Sequence, residues 1–83
     1  MRYKVTSPWT FSNTSFGDFH VQEADITDTK TGDVFRDGAS RVVDGVGRAV
    51  KGKGGTAPFF GESAWSDAQR LASDLDTERR YAR

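Results

Sequence analysis

Few side chains in this sequence could do chemistry, and their spacing limits what they can do. One histidine, His20, and no cysteine stand among the 83 residues. A Cys–His pair, a multi-histidine metal centre, a thiolate zinc site and a disulfide framework are therefore excluded by inventory. A Ser–His–Asp set can be composed from the residues present, but no G-x-S-x-G elbow accompanies it, and so short a chain offers little cleft to shape. His20 reads as a half-exposed strand residue. The expectation is a protein that is not an enzyme, with no catalytic residue and no cofactor. Lys51-Gly52-Lys53-Gly54-Gly55-Thr56 has the composition of a phosphate loop without its G-x-x-x-x-G-K-[ST] order. A solvated, flexible loop is the simpler reading. The acids Glu23, Asp25, Asp28, Asp33 and Asp37 do not follow the spacing of a calcium loop, and Asp28 and Asp33 suit turn positions. No metal is assigned.

Charge distribution is more informative than motif. Twelve basic and twelve acidic residues give a net charge of zero, yet they are segregated. Residues 18–37 carry six acids and two bases, whereas residues 38–53 carry four bases and one acid. Such asymmetry steers association with charged partners. It nominates Glu23, Asp25, Asp28, Asp33 and Asp37 as a partner-binding acidic hairpin. Arg41, Arg48, Lys51 and Lys53 form the corresponding candidate patch for phosphate or nucleic acid. Phe59 and Phe60, which follow Pro58, either plug a sheet–helix seam or anchor a partner, since aromatic residues are enriched at interface centres.

The elements that must position these residues follow from periodicity. Arg2 to Thr6 alternates as a short strand that Pro8 ends, because proline lacks an N–H for the ladder. Ser12 to Ser15 is polar and turn-like. A longer strand runs from about Gly17 to Asp28, and since neither of its faces is wholly apolar it suggests a bulge or an exposed edge. Asp28 to Asp33 is a polar loop with a glycine suited to positive φ, leading into Val34-Phe35-Arg36 as a hairpin. Residues 38–55 are ambiguous. Val43-Asp44-Gly45-Val46 suits a two-residue turn between strands, whereas Ser40 could cap a helix bearing Val42, Val43, Val46, Ala49 and Val50. Gly45 and Gly47 would cost that helix about 1 kcal/mol each, which favours strands. From Ser63 onward Ala64, Trp65, Ala68, Leu71, Ala72 and Leu75 share one helical face. Ser63 is a candidate N-cap, Ser66 with Gln69 a second, and Arg79, Arg80 and Arg83 complement the negative end of the helix.

The fold expected is α+β, a small antiparallel sheet of three to five strands packed against one C-terminal amphipathic helix, with residues 1–83 as a single domain. The core is thin: seven Val, six Phe, two Leu and one Ile make 16 of 83 residues. A chain of this size buries only about 60% of its unfolded surface. Association with a partner, or homodimerisation, would complete the burial. No signal peptide is evident in Met1-Arg2-Tyr3-Lys4-Val5 and no stretch approaches a membrane span, so the expected setting is cytoplasmic, with no membrane partner.

In size and style the chain resembles the small accessory proteins of phages and mobile elements, among them the anti-CRISPR proteins, although no shared motif carries that likeness. It implies a non-catalytic inhibitor that binds a protein or protein complex of the host cell. The acidic hairpin would then compete with nucleic acid for a basic groove. A second likeness is to the double-stranded-RNA-binding domain, through strands followed by a C-terminal helix and Gly61-Glu62-Ser63, Ala68 and Ala72 at its start. The lysine pair which that family places there is replaced by Ala64 and Trp65, and a neutral chain has a weak electrostatic attraction for phosphate. Nucleic acid therefore ranks behind protein as the expected partner, and a small assembly component ranks third.

Overall fold

In a computed structural model, which describes residues 2–50 and 58–81, six strands form one antiparallel sheet against a single C-terminal helix. The strands are β1 (Tyr3–Val5), β2 (Thr10–Phe16), β3 (Phe19–Asp28), β4 (Val34–Val43), β5 (Ala49–Val50) and β6 (Phe59–Phe60), followed by α1 (Ala64–Tyr81). β3 and β4 are the centre. β1 and β2 flank β3 at its two ends, and β5 and β6 flank β4. The expected α+β fold is this one, and its count of six strands includes two of only two residues.

β1 and β2 act as one interrupted edge. Tyr3 pairs with Asp28 and Val5 with Ile26, then Thr10 pairs with Glu23 and Phe16 with Phe19. At the break around Pro8 the ladder is patched: the Thr6 N–H donates to the Asp25 carbonyl at 2.9 Å, and the Asp25 N–H donates to Ser7 Oγ at 2.8 Å. The turn expected at Ser12 to Ser15 is strand instead. Ser12 and Thr14 alternate inward as half-buried residues, and Ser12 Oγ donates to the Val21 carbonyl at 3.1 Å. An edge strand bonded on one side tolerates polar residues that a central strand would not. β2 carries a register shift between Phe11 and Ser15, with Asn13 at φ 65°. β3, expected to hold a bulge or an exposed edge, is no edge but is paired on both sides, and its pairing with β4 has a second shift between Ala24 and Ile26.

The β3–β4 hairpin closes through Asp28 and Asp33, whose N–H and carbonyl meet at 2.8 Å, with Gly32 at φ 81° as its sequence suggested. The ambiguous segment resolves to strand over residues 38–43 and 49–50. The intervening turn is longer than two residues, for the Asp44 N–H reaches the Arg48 carbonyl at 2.9 Å. Asp44 Oδ1 holds that turn by accepting the Val46 and Arg48 N–H groups at 3.0 and 2.9 Å. The flexible loop expected at Lys51 to Gly55 lies outside the described residues.

The core forms where α1 crosses the sheet. Val21 and Val42, register partners, are buried with Ala68 and Ala72, and Phe16, Phe19, Val50, Phe59, Leu71 and Leu75 pack around them. Ala64, Ala68 and Ala72 repeat every fourth residue and are all at most 1% exposed, so small side chains set a close helix–sheet approach. Trp65, expected on that stripe, lies at its margin and is 39% exposed. At the helix start Ser63 holds the N-cap position, but its hydroxyl donates to Asp67 Oδ2 at 3.2 Å. At the other end Arg79 reaches Asp18 in the β2–β3 turn at 3.1 Å and Arg80 pairs with Asp76 at 3.3 Å. No helix among the described residues is long and apolar enough to cross a membrane.

Candidate functional site

An irregularity in the central hairpin generates the site. Ala24 pairs with Ala39 and Ile26 with Phe35, so a single β3 residue, Asp25, stands against residues 36–38 of β4. The extra length is accommodated at Asp37, which sits at φ 52°, a conformation aspartate reaches more readily than most residues. Asp25 Oδ1 fixes it there by accepting the Asp37 N–H at 2.9 Å. Gly38 follows because nothing larger fits: a Cβ on it would lie 2.7 Å and 2.8 Å from Ile26 Cγ1 and Cδ1. Its carbonyl accepts the Gly61 N–H at 2.9 Å, tying the bulge to the segment that starts the helix.

These constraints leave a groove of about 540 Å³ at one end of the molecule, within the range of ligand sites. Tyr3, Phe35 and Trp65 supply aromatic walls, Ile26 lies beneath, and Arg36, Asp37 and Glu62 bring charge. Tyr3 meets Phe35 edge-on at 6.3 Å between centroids and stacks on Phe60 at 6.2 Å, so the rings brace one another. Phe35 is 45% exposed and the adjoining Val34 63%.

The acidic hairpin divides on folding. Asp28 is buried at 3% exposure and committed to structure: it accepts from Arg2 Nε at 3.0 Å and from the Lys30 and Thr31 N–H groups at 2.8 and 3.3 Å. Burial opposes its ionisation, but these hydrogen bonds and the Arg2 charge outweigh burial and hold its carboxyl below the usual range. Asp33 is an exposed turn residue that accepts from Thr31 Oγ1. Glu23, Asp25 and Asp37 come together at the bulge. Burial, and then the neighbouring charge of Asp37, push the Glu23 carboxyl above its ordinary range. Asp37 alone of the five lines the groove, joined there by Glu62, which the sequence reading had not nominated.

The remaining nominees separate likewise. Arg41 donates from Nε to Gln22 Oε1 at 2.9 Å and lies 4.5 Å from the centroid of the Trp9 ring, on the sheet face opposite Val21 and Val42. Burial lowers its pKa. Arg48 is exposed in the β4–β5 turn, and Lys51 and Lys53 lie outside the described residues. Phe59 packs into the helix–sheet core, whereas Phe60 stacks on Tyr3 behind the groove. Tyr3, Phe35 and Trp65 had no local signal, for they come from three separate segments.

A second cavity, of about 460 Å³, contains Ser15, His20 and Asp44. Among the described residues no hydrogen bond links His20 to either of the others. His20 meets the Phe11 ring edge-on at 5.8 Å, and Asp44 Oδ1 holds its own turn. No group of three His, Asp or Glu side chains among the described residues converges to hold a metal ion. The chain matches no protein-family model, and no curated protein or solved structure is detectably similar to it. Fold and groove together define its class: an open antiparallel sheet with one packed helix and an aromatic groove at the end of the sheet.

Proposed function

We propose that this is a non-catalytic protein-binding module that docks its partner in the groove formed by Tyr3, Phe35 and Trp65. The observation that supports this reading most is the exposure of Phe35 and Trp65 in the lining of one 540 Å³ groove, in a chain with little apolar material to leave uncovered. Contiguous exposed apolar surface rimmed by charge is characteristic of interaction sites, and aromatic residues carry much of their energy. Asp37 and Glu62 line the same groove and suit a basic partner. Covering a basic surface on a macromolecular complex would block what that surface normally holds, which is the inhibitory role considered for a host-directed accessory protein. The absence of cysteine is consistent with action in the cytoplasm.

Capture from a lysate of the source or host cell, compared between the native chain and Trp65→Ala and Phe35→Ala variants with nuclease present, tests the proposal. A stoichiometric protein held by the native chain and lost from both variants is the expected result. Retention by both variants, or recovery that depends on nucleic acid, would overturn it.

A further inference from the structure

Resting on that reading, we infer that the groove receives a cationic side chain, an arginine or lysine of the partner, seated between the aromatic walls with its charge toward Asp37 and Glu62. Three observations converge on this occupant. Phe35 and Trp65, 45% and 39% exposed, both line the groove, and Tyr3 closes its wall edge-on to Phe35. Electron-rich ring faces attract ammonium and guanidinium groups, with Trp the most effective. The local charge is negative as well. Asp37 and Glu62 line the groove, and Glu23 and Asp25 lie next to Asp37. Against these four stand Arg36 and Arg2, and Arg2 is already paired with Asp28 at 3.0 Å.

The chain itself makes the same type of contact on three of its aromatics, Tyr3 of the groove wall among them. The guanidinium of Arg2 lies 5.8 Å from the Tyr3 centroid, that of Arg41 4.5 Å from Trp9 and that of Arg79 5.9 Å from Phe19. Trp65 and Phe35 have no such partner among the described residues. A guanidinium can also present paired donors to a carboxylate while its plane rests on a ring, which favours arginine over lysine.

The test is an NMR titration of the full chain with blocked short peptides that differ at one position: arginine, lysine, or citrulline, the neutral isostere of arginine. The expected result is a set of shifts centred on Tyr3, Phe35 and Trp65, with the arginine peptide bound at least about fivefold more tightly than the citrulline peptide. Trp65→Leu, which keeps apolar bulk without the ring, is expected to erase that preference. Asp37→Asn with Glu62→Gln is expected to reduce it about threefold, and asparagine accepts the positive φ at position 37. Equal or tighter binding of citrulline, or shifts that miss the groove, would overturn the inference. Failure here and failure of the protein-binding reading are separable. If the Trp65→Ala chain loses its captured partner while arginine and citrulline bind alike, the cation inference falls and the module remains. If arginine is preferred in the groove while that variant keeps its partner, the partner docks elsewhere and the protein-binding reading falls.

Discussion

Replacing Gly38 by alanine tests how the groove is built. The added Cβ would sit 2.7 Å and 2.8 Å from Ile26 Cγ1 and Cδ1 and 3.1 Å from Phe35 Cβ, whereas carbon atoms pack best about 3.5–4.0 Å apart. Ile26 is 1% exposed and cannot swing into solvent, so the strand or the side chain must move. Overpacking of this kind costs about 1–3 kcal/mol. In a domain of this size that lowers the thermal midpoint by roughly 5–20 °C. Gly32→Ala is the control: nothing lies within 4 Å of its Cβ, and only its φ of 81° is penalised, at about 1–2 kcal/mol. The assay is urea unfolding followed by tryptophan fluorescence, run as a double-mutant cycle with Ile26→Val. The valine removes Cδ1 and alone costs about 0.5–1.5 kcal/mol. In the Gly38→Ala background its cost falls, with a coupling of about 1 kcal/mol, and in the Gly32→Ala background it does not. A Gly38→Ala chain as stable as the native one, or a cycle with no coupling, would refute the packing described at the bulge.

Two further predictions concern protons. Asp28 and Asp44 are held below the usual carboxylate range, so they contribute stability that is present above their unfolded pKa, about 3.9, and is lost as pH falls through their folded values. Acid unfolding of Asp28→Asn/Asp44→Asn should therefore show a lower plateau and a flatter limb below about pH 4, and an unchanged limb would contradict this. Glu23 has the opposite sign. Its raised pKa means that ionisation costs stability above the folded value, so Glu23→Gln should be more stable than the native chain at pH 7, and the gain should vanish below about pH 4. A destabilised Glu23→Gln at neutral pH would show that its carboxylate has a partner.

Sequence patterns revealed elements more readily than the site. The helix from Ser63, the β3–β4 hairpin with its turn glycine and the first strand all follow from local periodicity and turn chemistry, because their hydrogen bonds close within short spans. β2 was hidden by Ser12, Asn13 and Thr14, polar residues that an edge strand can carry. Residues 38–50 read both ways because Val42, Val43, Val46 and Val50 satisfy either period, and only pairing with β3 decides between them. Trp65 has the spacing of a core residue, yet the seam is closed by Ala64, Ala68 and Ala72, which bring the helix too near the sheet for an indole beneath it. The five acids formed a cluster in sequence, but folding turns Asp28 inward to Arg2 and leaves Asp37 in the groove. That groove joins residues from positions 3, 26, 35–38 and 61–65, a juxtaposition that depends on the bulge and has no local signature.

The central claim, that a protein partner docks in the aromatic groove, is tested most directly by hydrogen–deuterium exchange of the chain alone and with its captured partner bound. The account predicts new protection at Tyr3, residues 34–38 and residues 61–65, with the turn at residues 44–48 unchanged. Protection confined to Trp9, Phe11 and the Arg41 face of the sheet, with residues 34–38 and 61–65 unaffected, would contradict it.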